Sequence, residues 1–313
     1  MALKQVLDVY EVMDSACVSG QTIIDMAKSV GIEDSRVKTV TGTKGTTDFV
    51  KFRIPGCQGK MSGGNAPTLG IIGRLGGLGA RPERIGFVSD GDGALAAVST
   101  AIKLGLMAQR GDRLNGDVVV TTHICPNAPT RPHQPVAFMD SPVDFTTMNE
   151  NEIDSSVDAI LSIDTTKGNR IINTRGFAIS PTVKEGYVLK VSDDLLDLMQ
   201  ITTGRLPAVF AITTQDITPY GNGVFHLNSI LQPAVATTAP TVGVAITTEA
   251  AVPGCATGAT HLIDVEAAVR FAIETAKAFT SGQCRFYDPE EFELIQSLYG
   301  SLRHLQTSGK KQE

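Results

Sequence analysis

The chain has 313 residues, of which 42% are hydrophobic, so it can bury the core of one large α/β domain. Its net charge of −6, with both signs scattered, argues against a nucleic acid or an anionic membrane surface as a partner. No apolar run approaches the roughly 20 residues that span a bilayer, and the charged N-terminal stretch is unlike a signal peptide. Together with five cysteines, an odd number that indicates reduced thiols, these features predict a cytoplasmic protein with a small-molecule partner.

Apolar residues recur at helical spacing over residues 3–15 and 21–30, and residues 37–43 and 47–56 then alternate as two strands do. We expect the segment 43–60 to form a small accessory β element. Strand and helix patterns alternate from there on. The further predicted strands cover 66–75, 84–90, 116–124, 157–166, 185–191, 208–216 and 241–249. The further predicted helices cover 93–110, 193–204 (capped by Ser192 or Asp193), 264–279 and 288–305.

Apolar strands that alternate with helices predict an α/β fold with a mixed, mostly parallel sheet and helices on both faces. The chain contains no linker, low-complexity segment or internal repeat. We therefore expect a helical N-terminal arm over residues 1–34 and a single α/β domain over residues 35–313.

Reactive side chains end several of the predicted strands. Because ligands in open α/β sheets bind at the carboxyl ends of the strands, we expect these side chains to meet. They are Asp90, His123, Asp164, Asp216 and Glu249, with Cys255 and His261 shortly after the last of these strands.

The segment SDGDG places Asp90 and Asp92 between a predicted strand and a predicted helix. A single Asp here can cap the helix and favour its positive end. Two acids, with Asp164 and imidazoles at corresponding strand ends, favour a site for zinc or manganese, which accept mixed nitrogen and oxygen ligands. We expect Asp92 to be the N-cap, so that Asp92→Asn costs at most about 1 kcal/mol of stability. Asp90 is then the acid that faces the site.

Two cysteines suggest a different chemistry. Cys125 and Cys255 each lie close to a histidine in the sequence, and each is either a small buried thiol or a thiolate activated by imidazole. The segment GCATGATH also resembles the GCTH segment of aspartate/glutamate racemases, in which two cysteines exchange a Cα proton.

Charged side chains near the predicted strand ends are candidates for substrate binding. Arg131 and His133 lie in the irregular segment NAPTRPH, where an Arg can bind a substrate carboxylate with two hydrogen bonds. Arg74 and Asp216 follow two other strands. The segment NAPTRPH is otherwise a rigid loop that only closes the site. Lys167, Arg170, Lys184 and Glu185 lie near the same rim, and for each of them a solvated loop residue is the favoured interpretation.

Five segments identify the chain as similar to a prokaryotic family defined by a domain of unknown function, DUF1177. They are GIIGRLGGLGARPERIGFVSDGDGA, GDVVVTTHICPNAPT, DTTKGNRIIN, TTQDITPYGN and VPGCATGATH. The resemblance covers nearly the whole chain and implies no particular activity.

The chain also resembles, more distantly, the co-catalytic zinc aminopeptidases and related metallopeptidases. In those enzymes a bridging Asp opens a helix, a later strand ends in an Asp ligand, and a His precedes the last long helix. The resemblance implies these three roles for Asp90, Asp164 and His261. Arg74 stands where those enzymes have His-x-Asp, and His123 stands where they have Glu-Glu, so His123 is the candidate replacement for their general base.

Three functions remain open. The first is an enzyme with a metallopeptidase-like sheet that hydrolyses an amide or peptide-like bond of a small molecule. A divalent metal, zinc or manganese, held by Asp90, Asp164 and His261 would lower the pKa of its bound water and polarise the carbonyl. His123 is then a further ligand or the acid/base group, and Glu249 is a further catalytic candidate.

The second function is metal-free racemase or amidase chemistry at Cys125 and Cys255. The third is a non-catalytic relative of the metallopeptidases that binds a small anionic metabolite or peptide. Large peptidases of this fold often assemble, so the resemblance to them implies a homo-oligomer.

Overall fold

A computed structural model describes residues 1–80, 84, 86–134, 136–212, 224, 227–251 and 258–307 of the chain. Within these residues there are seven α-helices and eleven strands. The helices are α1 (Leu3–Met13), α2 (Gly20–Ser29), α3 (Asp92–Gln109), α4 (Phe145–Glu152), α5 (Asp193–Thr203), α6 (Leu262–Thr280) and α7 (Pro289–Tyr299). The strands are β1 (Ser35–Gly42), β2 (Gly45–Ile54), β3 (Leu69–Gly73), β4 (Val118–Ile124), β5 (Thr130–Arg131), β6 (Phe138–Met139), β7 (Ala159–Thr165), β8 (Gly176–Ile179), β9 (Val183–Lys184), β10 (Tyr187–Val188) and β11 (Thr241–Thr247).

The central sheet has nine strands in the order β1-β2-β4-β3-β7-β11-β9-β10, and β8 also pairs with β11. The four strands at its centre, β4, β3, β7 and β11, are parallel to one another. Antiparallel strands flank them, with the β1–β2 hairpin on β4 and with β8 and β9 on β11. The predicted mixed sheet with a mostly parallel centre is therefore confirmed.

Both faces of this sheet are covered. Helices α1, α2, α3, α5 and α6 form the main hydrophobic core on one face, and α4 and the 3-10 segment Ser229–Val235 pack against the other. Because successive side chains of a strand point to opposite faces, the adjacent Ile71 and Ile72 of β3 enter different apolar clusters. Burial on both faces explains why the central strands are continuous apolar runs rather than alternating ones.

The helices of residues 1–34 are part of the main core. Val6 and Val9 of α1 and Ile23 of α2 are buried in the same apolar cluster as α3 and α6. The backbone N–H of Ala2 also donates to Glu266 Oε1 at 2.9 Å. The segment expected as an N-terminal arm therefore packs on the helical layer of the sheet. None of the helices described above has the length and apolar composition that crossing a lipid bilayer requires.

The hairpin predicted from residues 37–43 and 47–56 is present as β1 and β2. It forms no accessory element, because β2 pairs with β4 along seven residue positions and extends the central sheet. The helix predicted after Ser192 or Asp193 is α5, and Ser192 is its N-cap, with Oγ accepting from Leu195 N at 3.2 Å.

Two predicted strands are not formed in their described residues. Over 84–90, Gly86 has a left-handed φ of 88° and Ser89–Gly91 is a 3-10 turn, so the chain cannot continue as an extended strand. Over 208–212, one isolated bridge joins Val209 to Ile179 of β8. The segment cannot pair with β11, because β8 and β9 already occupy that edge of β11.

Candidate functional site

The carboxyl edge of the parallel strands carries a buried ion pair between Asp92 and Lys167. Asp92 begins α3, and Lys167 lies two residues beyond the end of β7. Lys167 Nζ donates to Asp92 Oδ2 at 2.7 Å, and Thr260 Oγ1 donates to Asp92 Oδ1 at 2.7 Å. The side chains of Lys167 and Asp92 are 2% and 0% exposed. Both carboxylate oxygens of Asp92 are therefore occupied by protein donors.

The predicted N-cap role of Asp92 is wrong. The N-cap position is Gly91, which makes no side-chain capping bond, and Asp92 is the first helical residue. Burial raises the pKa of the Asp92 carboxyl, while the neighbouring Lys167 ammonium opposes that shift. The positive end of the α3 dipole also favours a carboxylate at this position. Asp92 thus links α3 to the ends of other elements instead of closing its own helix.

Gly93 allows α3 to begin directly above the ends of β3 and β7. A Cβ at this position would lie 2.5 Å from Ile163 O and 2.7 Å from Arg74 O. Such distances are far inside van der Waals contact, so a larger residue would push the helix start away from the sheet. The glycine that follows Asp92 therefore brings its carboxylate within reach of Lys167.

The other two predicted acids also lie at this edge. Asp90, in the 3-10 turn Ser89–Gly91, is buried. Asp164, near the end of β7, is completely buried, and its Oδ1 accepts from Thr165 N at 2.7 Å while Ser229 Oγ donates to Oδ2 at 3.3 Å. The Asp164 Cα is 3.2 Å from where a Cβ on Gly93 would lie, so Asp164 is next to the start of α3.

His123 is held between two protein groups. Its Nε2 accepts a hydrogen bond from Gly76 N at 2.9 Å, so the ring proton is on Nδ1, which faces Thr47 Oγ1 at 2.8 Å. Burial, together with the charge of Arg74, lowers the pKa of His123 to about 3. The ring is neutral and has no free nitrogen, which contradicts the predicted roles as metal ligand or acid/base group. His123 instead fixes the loop after β3 onto β4.

The predicted metal centre is not assembled. His261 directs its Nδ1 to Asp264 Oδ2 at 2.8 Å, in the first turn of α6, and its side chain is half exposed. Across the part of the chain that the structure describes, no group of three or more His, Cys, Asp or Glu side chains is placed to hold a metal ion. Asp90, Asp164 and His261 therefore do not form such a group together.

Arg74 is a structural residue and does not reach a substrate. Its guanidinium is completely buried, forms an ion pair with Glu152 of α4, and donates to Asn149 Oδ1 at 3.3 Å and Gln232 Oε1 at 2.8 Å. These partners lie on the face of the sheet covered by α4. The predicted substrate-binding role is corrected accordingly, because both terminal nitrogens of the guanidinium already donate to residues of that layer.

The thiol of Cys125 is buried and inert at neutral pH. Its Sγ lies 3.7 Å from Thr46 O, and burial raises its pKa to about 11. A thiol with such a pKa carries almost no nucleophilic thiolate near pH 7. The predicted nucleophile or proton carrier at this position is therefore not supported, and the buried-thiol alternative describes Cys125.

The remaining predicted residues lie at the surface or outside the described residues. Arg131 is exposed and stacks over the Phe138 ring, 5.2 Å from its centroid, and His133 is exposed on the same segment. Glu249 is exposed just beyond β11. Asp216 and Cys255 lie outside the residues that the structure describes.

The sequence places Lys167 near this edge but favours a solvated loop residue there, and it gives no indication of Thr260 or Ser229. Lys167 belongs to the segment DTTKG directly after β7, and its place at a strand end was the available indication. A Lys after a strand is usually solvated, so nothing local to it distinguishes a buried ammonium.

The fold defines an α/β protein with a parallel-centred sheet that has a buried ion pair at its carboxyl edge. The chain belongs to the family described as "Protein of unknown function (DUF1177)", whose model matches residues 38–309. A comparison with proteins of curated function finds no significant match.

Several solved structures are similar in fold. The bottromycin maturation enzyme BotP aligns with a TM-score of 0.51 and 15% identity, covering 90% of this chain and 70% of its own. The Legionella pneumophila LapA aminopeptidase aligns with a TM-score of 0.46 and 12% identity over 90% of this chain and 70% of its own. A tomato leucine aminopeptidase variant aligns with a TM-score of 0.48 and 12% identity over 87% of this chain and 61% of its own. At these identities the likeness concerns the fold alone.

Proposed function

We propose that this chain acts on a small molecule at the carboxyl edge of its central sheet, by hydrolysing an amide or peptide-like bond. One observation carries the proposal: Asp90, Asp92, Asp164 and Lys167 are all buried at this edge. Burying a charged group costs several kcal/mol unless it is well paired, and apolar residues would pack there at lower cost. The carboxyl edge is also where open α/β sheets bind ligands.

The reaction class comes from the sequence resemblance to the metallopeptidases and is part of the proposal. Among the similar structures, BotP is named as a maturation enzyme. In this chain the predicted metal ligands do not converge, so no step is assigned to zinc or manganese. The residues present supply a buried ammonium at Lys167, which can stabilise negative charge that develops on a substrate carbonyl oxygen. The carboxylates of Asp90 and Asp164 can accept hydrogen bonds from a polar substrate and so orient it.

A non-catalytic role is the second candidate, and the two imidazoles at this edge favour it. His123 has both nitrogens hydrogen-bonded to protein groups, and His261 is paired with Asp264. A binding protein for a small anionic metabolite or peptide needs no general base. Thiol chemistry keeps only Cys255 as a candidate, because Cys125 is buried and its pKa is raised.

The partner predictions remain part of the proposal: a small-molecule ligand, no nucleic acid, and a homo-oligomer in the cytoplasm. The acidic balance of the chain, with 33 Asp and Glu against 27 Lys and Arg, supports the absence of a nucleic-acid partner.

Turnover and binding together test the proposal. The full chain is incubated with pools of dipeptides, N-acyl amino acids and amino-acid amides, and the products are identified by mass spectrometry. Asp164→Asn keeps the oxygen that accepts from Thr165 N, so we expect a folded variant that has lost turnover. Asp197→Asn, on the exposed face of α5, is the matched control and should keep it.

The three outcomes separate the candidates. Turnover that Asp164→Asn abolishes supports the hydrolase. No turnover, with a rise in melting temperature for some pool members that Asp164→Asn removes, supports the binding protein. Neither turnover nor binding, or turnover that survives in Asp164→Asn, overturns the site.

A further inference from the structure

The buried ammonium of Lys167 is paired with Asp92 at the edge of the sheet where the sequence predicts a metal. Lys167 follows Asp164 by three residues, and its Nζ contacts Asp92 Oδ2 at 2.7 Å. Asp164 lies beside Gly93, and Asp90 precedes Asp92 by two residues in the same buried turn. We infer that Lys167 is the permanent cation of this site: its ammonium takes the electrostatic place of a divalent metal and makes the chain independent of one.

The geometry around Asp92 supports this inference. One carboxylate oxygen receives Lys167 and the other receives Thr260, so a metal ion bound to Asp92 would lie beside these donors or displace one of them. A displaced ammonium would remain buried, because the Lys167 side chain is almost inaccessible to solvent. It would then sit next to a divalent ion of the same sign, and like charges at such distances in a dry environment repel strongly. Lys167 and a metal therefore exclude each other.

The type of cation also fits the space. Lys carries a compact point charge on a flexible stem, whereas the planar guanidinium of Arg needs room for several donors. The Lys167 ammonium makes a single contact with Asp92, which a compact charged group can do in a small space. The role of the charge, which is to attract and orient the polar group of the ligand, rests on the proposed function. The exclusion of a metal ion by Lys167 does not depend on any turnover.

Metal binding by variants of the full chain tests the inference. Melting temperature and metal content after dialysis are measured with Zn²⁺, Mn²⁺ or EDTA for the wild type, Lys167→Ala, and Lys167→Ala with Asp92→Asn. Lys184→Ala is the matched control, because Lys184 is another buried lysine, paired at 2.8 Å with Glu185 away from the carboxyl edge. Lys167→Gln keeps a donor for Asp92 and replaces Lys167→Ala if the alanine variant does not fold.

We expect the wild type and Lys184→Ala to bind neither metal and each to melt at the same temperature with and without EDTA. Lys167→Ala or Lys167→Gln should bind Mn²⁺ or Zn²⁺ at least about tenfold more tightly than the wild type, with a matching rise in melting temperature. Adding Asp92→Asn should remove that gain. Stoichiometric metal in the wild type that Asp164→Asn abolishes, or position-167 variants that gain no metal, would overturn the inference. Absence of turnover would count against the proposed function alone.

Discussion

Replacing Asp92 by Asn should destabilise the protein strongly, although the two side chains have nearly the same shape. The new side chain keeps an oxygen for Thr260 but offers the Lys167 ammonium a neutral amide, and that ammonium is 2% exposed and cannot recover water. Removing one partner of a buried ion pair costs about 3–5 kcal/mol. With an unfolding entropy of about 2.1 cal/mol/K per residue, a chain of 313 residues loses about 1.5 °C per kcal/mol, so the melting temperature should fall by about 5–8 °C.

Thermal unfolding followed by circular dichroism measures this change, and two controls give it meaning. Asp92→Asn with Lys167→Met removes both charges and keeps the lysine stem volume, so it should recover most of the loss. Asp8→Asn breaks the exposed ion pair between Lys4 and Asp8 and should cost less than about 1 kcal/mol. If Asp92→Asn melts within about 1 °C of the wild type, or the double variant is as unstable as the single one, the ion pair does not hold α3 to the sheet.

Three further predictions concern His123, Cys125 and Gly93. The native pKa of His123 is about 3, below the ordinary value of about 6.5, so between these pH values only the unfolded chain binds this proton and the free energy of unfolding should fall as the pH drops. Urea unfolding at about pH 7 and about pH 4.5 should show a smaller fall for His123→Gln than for the wild type. An equal fall in the two proteins would contradict the assignment. Iodoacetamide at about pH 8 should label the exposed Cys17 and leave Cys125, whose pKa is about 11, unlabelled. Mass spectrometry of the digested protein measures the labelling, and rapid labelling of both cysteines would contradict the prediction. Gly93→Ala should lose about 1–3 kcal/mol in the same unfolding assay, because its Cβ would lie 2.5 Å from Ile163 O, and an unchanged stability would mean that α3 does not approach the strand so closely.

The central strands and long helices could be predicted from the sequence because their patterns are local. Short β-branched apolar runs such as the one ending at Asp164 are typical of a strand buried on both faces, and the alanine-rich stretch after Asp92 is typical of a helix packed closely on a sheet. The same reasoning failed over 84–90, where the apolar run around Phe87 is short and Gly86 adopts a left-handed φ that no pattern announces.

From residue order alone it follows that Asp164 ends its strand and reaches the carboxyl edge of the sheet. Asp90 reaches that edge in a 3-10 turn before α3, and not at the end of the strand that the sequence predicts. The partners of the buried charges, in contrast, depend on how the chain folds in three dimensions. Lys167 and Thr260 reach Asp92 across 75 and 168 residues, because β7 lies beside β3 and α6 begins at the same edge. His123 is likewise removed from chemistry by Gly76 and Thr47, which come from different segments. Residue type and spacing predict where the chain turns. The partner of a buried charge depends on the order in which distant strands pair in the sheet, and a local sequence pattern does not determine that order.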